Sequence, residues 1–175
     1  WPLIVLPGVF NGVQIRSGLM LVCALEKLPL SATAHVLDLG TGSGLGAIYA
    51  ARRGAHVIAT DINPEAVRCA QLNALANHVE ERIEIRLGDL FEPVHDERFN
   101  VILFNPPYYR GQPRDFADRA WRGSDVFDRF LSELPKHLTK QGRALVVLST
   151  DGEISFALMS ASQLTTRVIR RRDLI

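Results

Sequence analysis

Short apolar runs alternate with stretches of helical spacing along most of this chain. Val36–Leu39, His56–Thr60, Arg82–Leu87, Asn100–Phe104 and Ala144–Ser149 have the length and the β-branched or aliphatic content of strands, and they are too short to be helices buried on all sides. Between them, Leu45–Arg53, Pro64–Asn77 and Ser124–Leu138 carry apolar residues at intervals of three and four. An earlier helix is predicted from Ser17, a candidate N-cap, through Leu21, Val22, Leu25 and Leu28 to the stop at Pro29. Asn63-Pro64 opens the next-but-one helix cleanly, since proline in the first turn forfeits no intrahelical hydrogen bond. This βαβα order predicts a doubly wound, mostly parallel α/β sheet with helices on both faces. Leu3 to Val13, broken by Pro7, Gly8 and Gly12, reads as an extended arm with a turn. The division is then 1–30 for arm and first helix and 31–175 for the sheet domain, in one compact unit. A start at Trp1 and an end at Ile175, in a strand-like stretch, fit a fragment whose last strand is cut short.

With 175 residues, the chain holds one domain with a sizeable core. Twenty basic and nineteen acidic side chains leave a net charge of +1, so no general attraction for nucleic acid exists. The concentrated basic patch is Arg167 with Arg170, Arg171 and Arg172, read as the charged edge of a strand near the chain end. Cys23 and Cys69 sit in apolar helical patterns without redox or metal spacing, and the five histidines are scattered singly, so no metal is expected. No secretory signal and no apolar stretch of membrane-spanning length is present, which predicts a cytoplasmic protein with no membrane partner.

Candidate chemistry sits at two strand ends. Val36-Leu37-Asp38-Leu39-Gly40-Thr41-Gly42-Ser43-Gly44 reads as a buried strand running into a glycine turn and then a helix. Gly40, Gly42 and Gly44 permit positive φ and a close approach of backbone to ligand. The second strand ends in Asp61, about 20 residues beyond the turn, the spacing at which a carboxylate reaches ribose hydroxyls. A dinucleotide and an adenosyl amino acid both fit this outline. Asp38 discriminates between them, because a carboxylate beside the turn repels a pyrophosphate and suits an ammonium.

Asn105-Pro106-Pro107-Tyr108 follows the apolar run Val101–Phe104 directly. Asparagine offers one acceptor and one donor to a planar –NH₂ group. The prolines stiffen the backbone and leave carbonyls free to accept from the same nitrogen. Tyr108 supplies a flat face for an amide or a nucleobase. Tyr109 to Gly123 is the one long irregular connection, hence the natural lid or recognition element.

Together, the Asp38–Gly44 turn, Asp61, Gly88-Asp89-Leu90 and Asn105-Pro106-Pro107-Tyr108 resemble the class I S-adenosylmethionine-dependent methyltransferases over almost the whole chain. Ala120-Trp121-Arg122-Gly123 leading to Asp128-Arg129-Phe130 resembles the short HemK-type protein-glutamine methyltransferases. Leu6-Pro7-Gly8-Val9-Phe10 resembles the small-domain ribosomal RNA guanine methyltransferases. The resemblance implies S-adenosyl-L-methionine as cofactor. Asp38, Thr41 and the backbone of Gly40, Gly42 and Gly44 then hold its methionine part, Asp61 the ribose, Ile62 and Leu90 the faces of the adenine, and Asp89 the adenine amino group. Asn105 and the Pro106 carbonyl receive the target nitrogen, with Pro107 and Tyr108 completing the catalytic motif. Gln14, Arg16 and Ser17 become candidate neighbours of the ligands. The implied acceptor is a glutamine in a release-factor loop, clamped with help from Arg110, Arg114, Arg119 or Arg122, by a protein acting as a monomer or within a small complex. An RNA or DNA base is the alternative acceptor, and a non-catalytic cofactor-binding subunit is a third reading.

Overall fold

The computed structural model describes residues 1–12, 14, 16–149 and 164–171. Its sheet comprises β1 (His35–Leu39), β2 (His56–Asp61), β3 (Ile83–Leu87), β4 (Phe99–Phe104) and β5 (Leu138–Val146), in the order β3-β2-β1-β4-β5. Every pairing among them is parallel. The helices are α1 (Ser17–Glu26), α2 (Leu45–Arg52), α3 (Pro64–Ala76), the single turn α4 (Phe116–Arg119) and α5 (Val126–His137).

Side-chain alternation along the central strands divides the core into two layers. Val36, Val101 and Leu103 join Leu25 of α1 and Ile48 of α2 on one face. Leu37, Leu39, Ile102 and Phe104 meet Phe127, Phe130 and Leu134 of α5 on the other. Phe104 and Phe130 lie 4.6 Å apart, and Phe91 stacks on buried His137 at 4.3 Å. Both faces of β1 are therefore covered, which explains its continuous apolar run. Asn63 caps α3 by accepting from the Glu65 N–H at 3.0 Å, with Pro64 behind it.

Three expectations are corrected. Ser17 is not an N-cap: Arg16 occupies that position with φ 66°, makes no capping bond through its side chain, and Ser17 is the first helical residue. The last strand begins at Leu138, directly after α5, rather than at Ala144. Its register jumps from Phe99↔Leu138 to Val101↔Arg143, so the polar stretch 139–142 bulges out of the ladder and hides the strand from a search for apolar runs. Residues 164–171 are mostly exposed and lie in no strand, so Arg167, Arg170 and Arg171 form no strand edge, while Arg172 and the expected terminal strand lie outside the described residues. Tyr109 to Gly123 is also less irregular than expected. It closes on itself through Tyr109 N–H to Trp121 O and Gly123 N–H to Tyr109 O, with α4 inside.

The N-terminal arm is fastened by the amides of Asn63, Asn73 and Asn77, which reach Gly8, Ile4 and Pro2. Asn73 of α3 accepts from the Ile4 N–H and donates to the Ile4 carbonyl, both at 2.7 Å, as a neighbouring strand would, and its NH₂ also reaches Ser43 O at 2.8 Å. Asn73 is fully buried. Asn73→Ala deprives the Ile4 N–H and the Ser43 carbonyl of their side-chain partner, leaves the Ile4 carbonyl only the Cys69 thiol, and should lower stability by about 2 kcal/mol. Urea unfolding measures that loss, and amide exchange at Ile4 should accelerate more than exchange in β1.

Candidate functional site

The Leu39↔Phe104 pairing brings the ends of β1 and β4 level at the point where the strand order reverses. In open α/β sheets this switch point is where a crevice forms beyond the carboxyl ends. A cavity of about 470 Å³ lies there. The glycine turn and Asp38 form its floor, and Asp61, Ile62, Asp89 and Leu90 line one end. Asn105 and Pro107 line the other, with Gln112 and Arg122 from the loop after β4 and Phe10 from the arm also in its wall.

Carboxylates organise the glycine turn. Asp38, 4% exposed, accepts from Thr41 Oγ1 at 2.7 Å and from the Ala47 N–H at 2.8 Å, both on Oδ2. Asp61 accepts from the Gly42 N–H at 2.8 Å and the Asn63 N–H at 2.9 Å, one on each oxygen. Gly40, Gly42 and Gly44 have φ of 64°, 56° and 85°. Gly46 is excluded from change by space instead, since a Cβ there would stand 2.9 Å from Asp38 Oδ1. The start of α2 would ordinarily attract an anion. Here the protein's own carboxyl groups fill that role, and the Gly42 N–H that a pyrophosphate would use is already given to Asp61. A cationic amino-acid tail and a ribose diol fit the same donors and acceptors.

Burial pushes the Asp38 carboxyl up to about 7, against the hydrogen bonds from Thr41 and Ala47 and with a smaller push from Asp61. Burial also raises Asp61, opposed by the N–H groups of Asn63, Gly42 and Ile62.

At the far end, Asn105 is tied on both sides. Its NH₂ donates to Ser17 Oγ at 3.1 Å, and its Oδ1 accepts from the Tyr108 hydroxyl at 2.7 Å. One lone pair of Oδ1 remains. Pro106 is buried behind Asn105, and the Tyr108 ring meets Trp121 edge-on at 6.3 Å. Trp121 in turn touches Phe10 at 5.3 Å, so arm and loop meet beside the cavity.

The family model of the methyltransferase small domain matches residues 1–173. The chain belongs to this family. Among curated relatives, a putative protein N5-glutamine methyltransferase of Methanocaldococcus jannaschii is 40% identical over 138 residues, covering 74% of this chain and 68% of that protein. A tRNA1(Val) (adenine(37)-N6)-methyltransferase of Phocaeicola vulgatus is 34% identical, covering 74% and 57%. Among solved structures, the T. thermophilus 16S rRNA N2 G1207 methyltransferase, in complex with AdoMet and guanosine, superposes with a TM-score of 0.71 at 24% identity, over 90% of this chain and 41% of that one. That likeness concerns the fold. This methyltransferase small domain spans about half the length of the curated relatives it matches, from 39% to 68%.

Within this methyltransferase small domain, Asp38, Gly40, Thr41, Gly42, Asp61, Ile62, Asp89, Leu90, Asn105 and Pro107 all line one cavity. Gly44 supports it from behind at the head of α2, against Ala70, and Pro106 and Tyr108 stand outside its lining. Three of the arginines expected to reach a substrate have carboxylate partners within the protein, although Arg114 and Arg122 stay exposed. Arg110 forks onto Asp128, Arg114 bonds Asp118 through both backbone and side chain, and Arg122 lies 3.6 Å from the same carboxylate. Asp118 is the organising residue of the loop. Ser17, Phe10 and Arg129 are the site residues to which pattern reading gave no definite part. For Arg129 a signal existed in its spacing of four from Asp125 on a helix. Among the described residues, no cluster of three or more His, Cys, Asp or Glu side chains could hold a metal, and no helix is long and apolar enough to cross a membrane.

Asp38 yields a pH prediction. Its folded carboxyl holds a proton that the unfolded chain releases, so between about 4 and about 7 unfolding sheds a proton and stability falls as pH rises, levelling above about 7. Melting temperatures of the ligand-free protein from pH 5 to 8.5 should decline more steeply for the wild type than for Asp38→Asn. Parallel curves would remove Asp38 as the source.

Proposed function

We propose that this domain transfers the methyl group of S-adenosylmethionine to a planar nitrogen, and that its acceptor is the side-chain amide of a protein glutamine, of the release-factor type. The observation that carries the transfer reading is Asn105, set at the end of β4 across the strand switch from the carboxylate-held glycine turn. Bound S-adenosylmethionine supplies an electrophilic methyl on sulfur. Asp38 and the glycine turn bind its ammonium end, Asp61 the ribose hydroxyls, and Ile62 and Leu90 flank the purine.

The acceptor amide carries its lone pair in conjugation with the carbonyl. Asn105 Oδ1 and the Pro106 carbonyl accept its two N–H hydrogens, which favours a pyramidal nitrogen and aims the lone pair at the methyl. Carbon–nitrogen bond formation accompanies carbon–sulfur cleavage, and the nitrogen, now more acidic, gives a proton to water or a carbonyl. No side-chain base is required. Tyr108 acts through Asn105, whose Oδ1 its hydroxyl holds in place.

The observation that supports a protein acceptor is the 40% identity to a putative protein N5-glutamine methyltransferase. The exposed Arg167, Arg170 and Arg171 favour the second reading, an RNA base. Purified release factor and total RNA, each incubated with the domain and methyl-labelled cofactor, separate the two. Label is expected on a glutamine of the factor, and label confined to an RNA adenine or guanine would replace the protein reading. Asn105→Ala should slow transfer about a hundredfold or more while cofactor affinity stays within about twofold, because the lost contact acts on the transferring centre. Calorimetry beside single-turnover rates measures both.

A further inference from the structure

Asp89 stands at the end of the cavity opposite Asn105, after β3, where the chain turns sharply through Leu90 at φ 47°. Neither strand nor helix fixes its side chain. Among the described residues its carboxylate has one partner: Arg129 of α5, whose Nη2 donates to Oδ2 at 2.8 Å. Arg129 is itself steadied by Asp125, with Nε 3.2 Å from Oδ2 but too far off line for a hydrogen bond. The pair is only partly buried, 37% and 29% exposed, and both residues face the cavity. One carboxylate oxygen is therefore pinned, and the other accepts nothing from the described residues.

We propose that Arg129 is a positioning residue for base recognition. By holding Asp89 through Oδ2, it fixes the carboxylate plane and presents Oδ1 to an exocyclic amino group of a purine. This rests on the S-adenosylmethionine reading of the cavity. The physical reason is geometric: a carboxylate on a free χ2 rotor loses orientational freedom when a purine binds, and a guanidinium that fixes the rotor beforehand removes that cost. Arginine suits the task because its charge persists at every working pH and its planar fork sets direction, whereas a lysine supplies charge alone.

The test is a cycle between the side chain and the base. S-adenosylhomocysteine and its analogue with hydrogen in place of the purine 6-amino group are titrated calorimetrically into wild type, Arg129→Met and Arg129→Lys. Wild type should bind S-adenosylhomocysteine about tenfold more tightly than the analogue, the scale of one hydrogen bond to a charged group. R129M should lose most of that discrimination by weakening the first ligand about tenfold and the analogue less than twofold. R129K, which keeps the charge, should recover part of it. Equal weakening of both ligands by R129M would make Arg129 a structural residue and overturn the inference, as would tighter binding, which would mark Arg129 as a competitor for Asp89. Wild type that binds neither ligand would overturn the S-adenosylmethionine reading together with it, and so separates that failure from failure of the Arg129 role.

Discussion

The level ends of β1 and β4 are the constraint on which the rest of the site depends. Parallel pairing of Leu39 with Phe104 puts Gly40 and Asn105 on neighbouring strands just beyond the sheet, at the one place where successive connections leave in opposite directions. A shift of one residue between these strands would turn Asp38 and the apolar residues of β1 to the opposite faces. The two aliphatic layers prevent it, since Val36 and Leu37 are each committed to a different one. Core packing thus sets the relation between the two halves of the site before any polar group contributes.

On that frame the polar groups are economical. Asp38 spans from strand to turn to helix through one oxygen, and Asp61 ties the turn to the start of α3. The charge that shapes the loop is the charge available to a ligand, and burial makes it costly without one. At the other end, Ser17, Asn105 and Tyr108 form a polar chain linking α1 to the end of β4. The first helix, whose Gly18 and Leu21 line the cavity, is therefore part of its wall at that end.

Much of this was legible because strand length, glycine placement and acid spacing all act locally. Alternating apolar runs marked β1 to β4, and the positions of Asp38, Asp61, Asp89 and Asn105 at strand ends followed from the same reading. What escaped depended on contacts distant along the chain. Residues 139–142 contribute polar side chains to a bulge, so β5 carried no apolar signature where it starts. Ser17 has the composition of a cap, and only the tertiary meeting with Asn105, 88 residues away, gives its hydroxyl another partner. The loop arginines looked available because Asp118 and Asp128 are indistinguishable in sequence from solvated acids, although the fold makes them arginine acceptors. Asn73 left a fainter trace, a polar residue in the buried stripe of α3 beside Cys69 and Ala70.

That asparagine is one of three that hold the arm. Its amide grips Ile4 and Ser43 of the glycine turn together, while Asn77 donates to Pro2 O and Asn63, the cap of α3, to Gly8 O. Parting the arm from α3 therefore costs the hydrogen bonds of three amides spread over its length, whereas the glycine turn stays tied to Asp38 and Asp61 when the arm is gone.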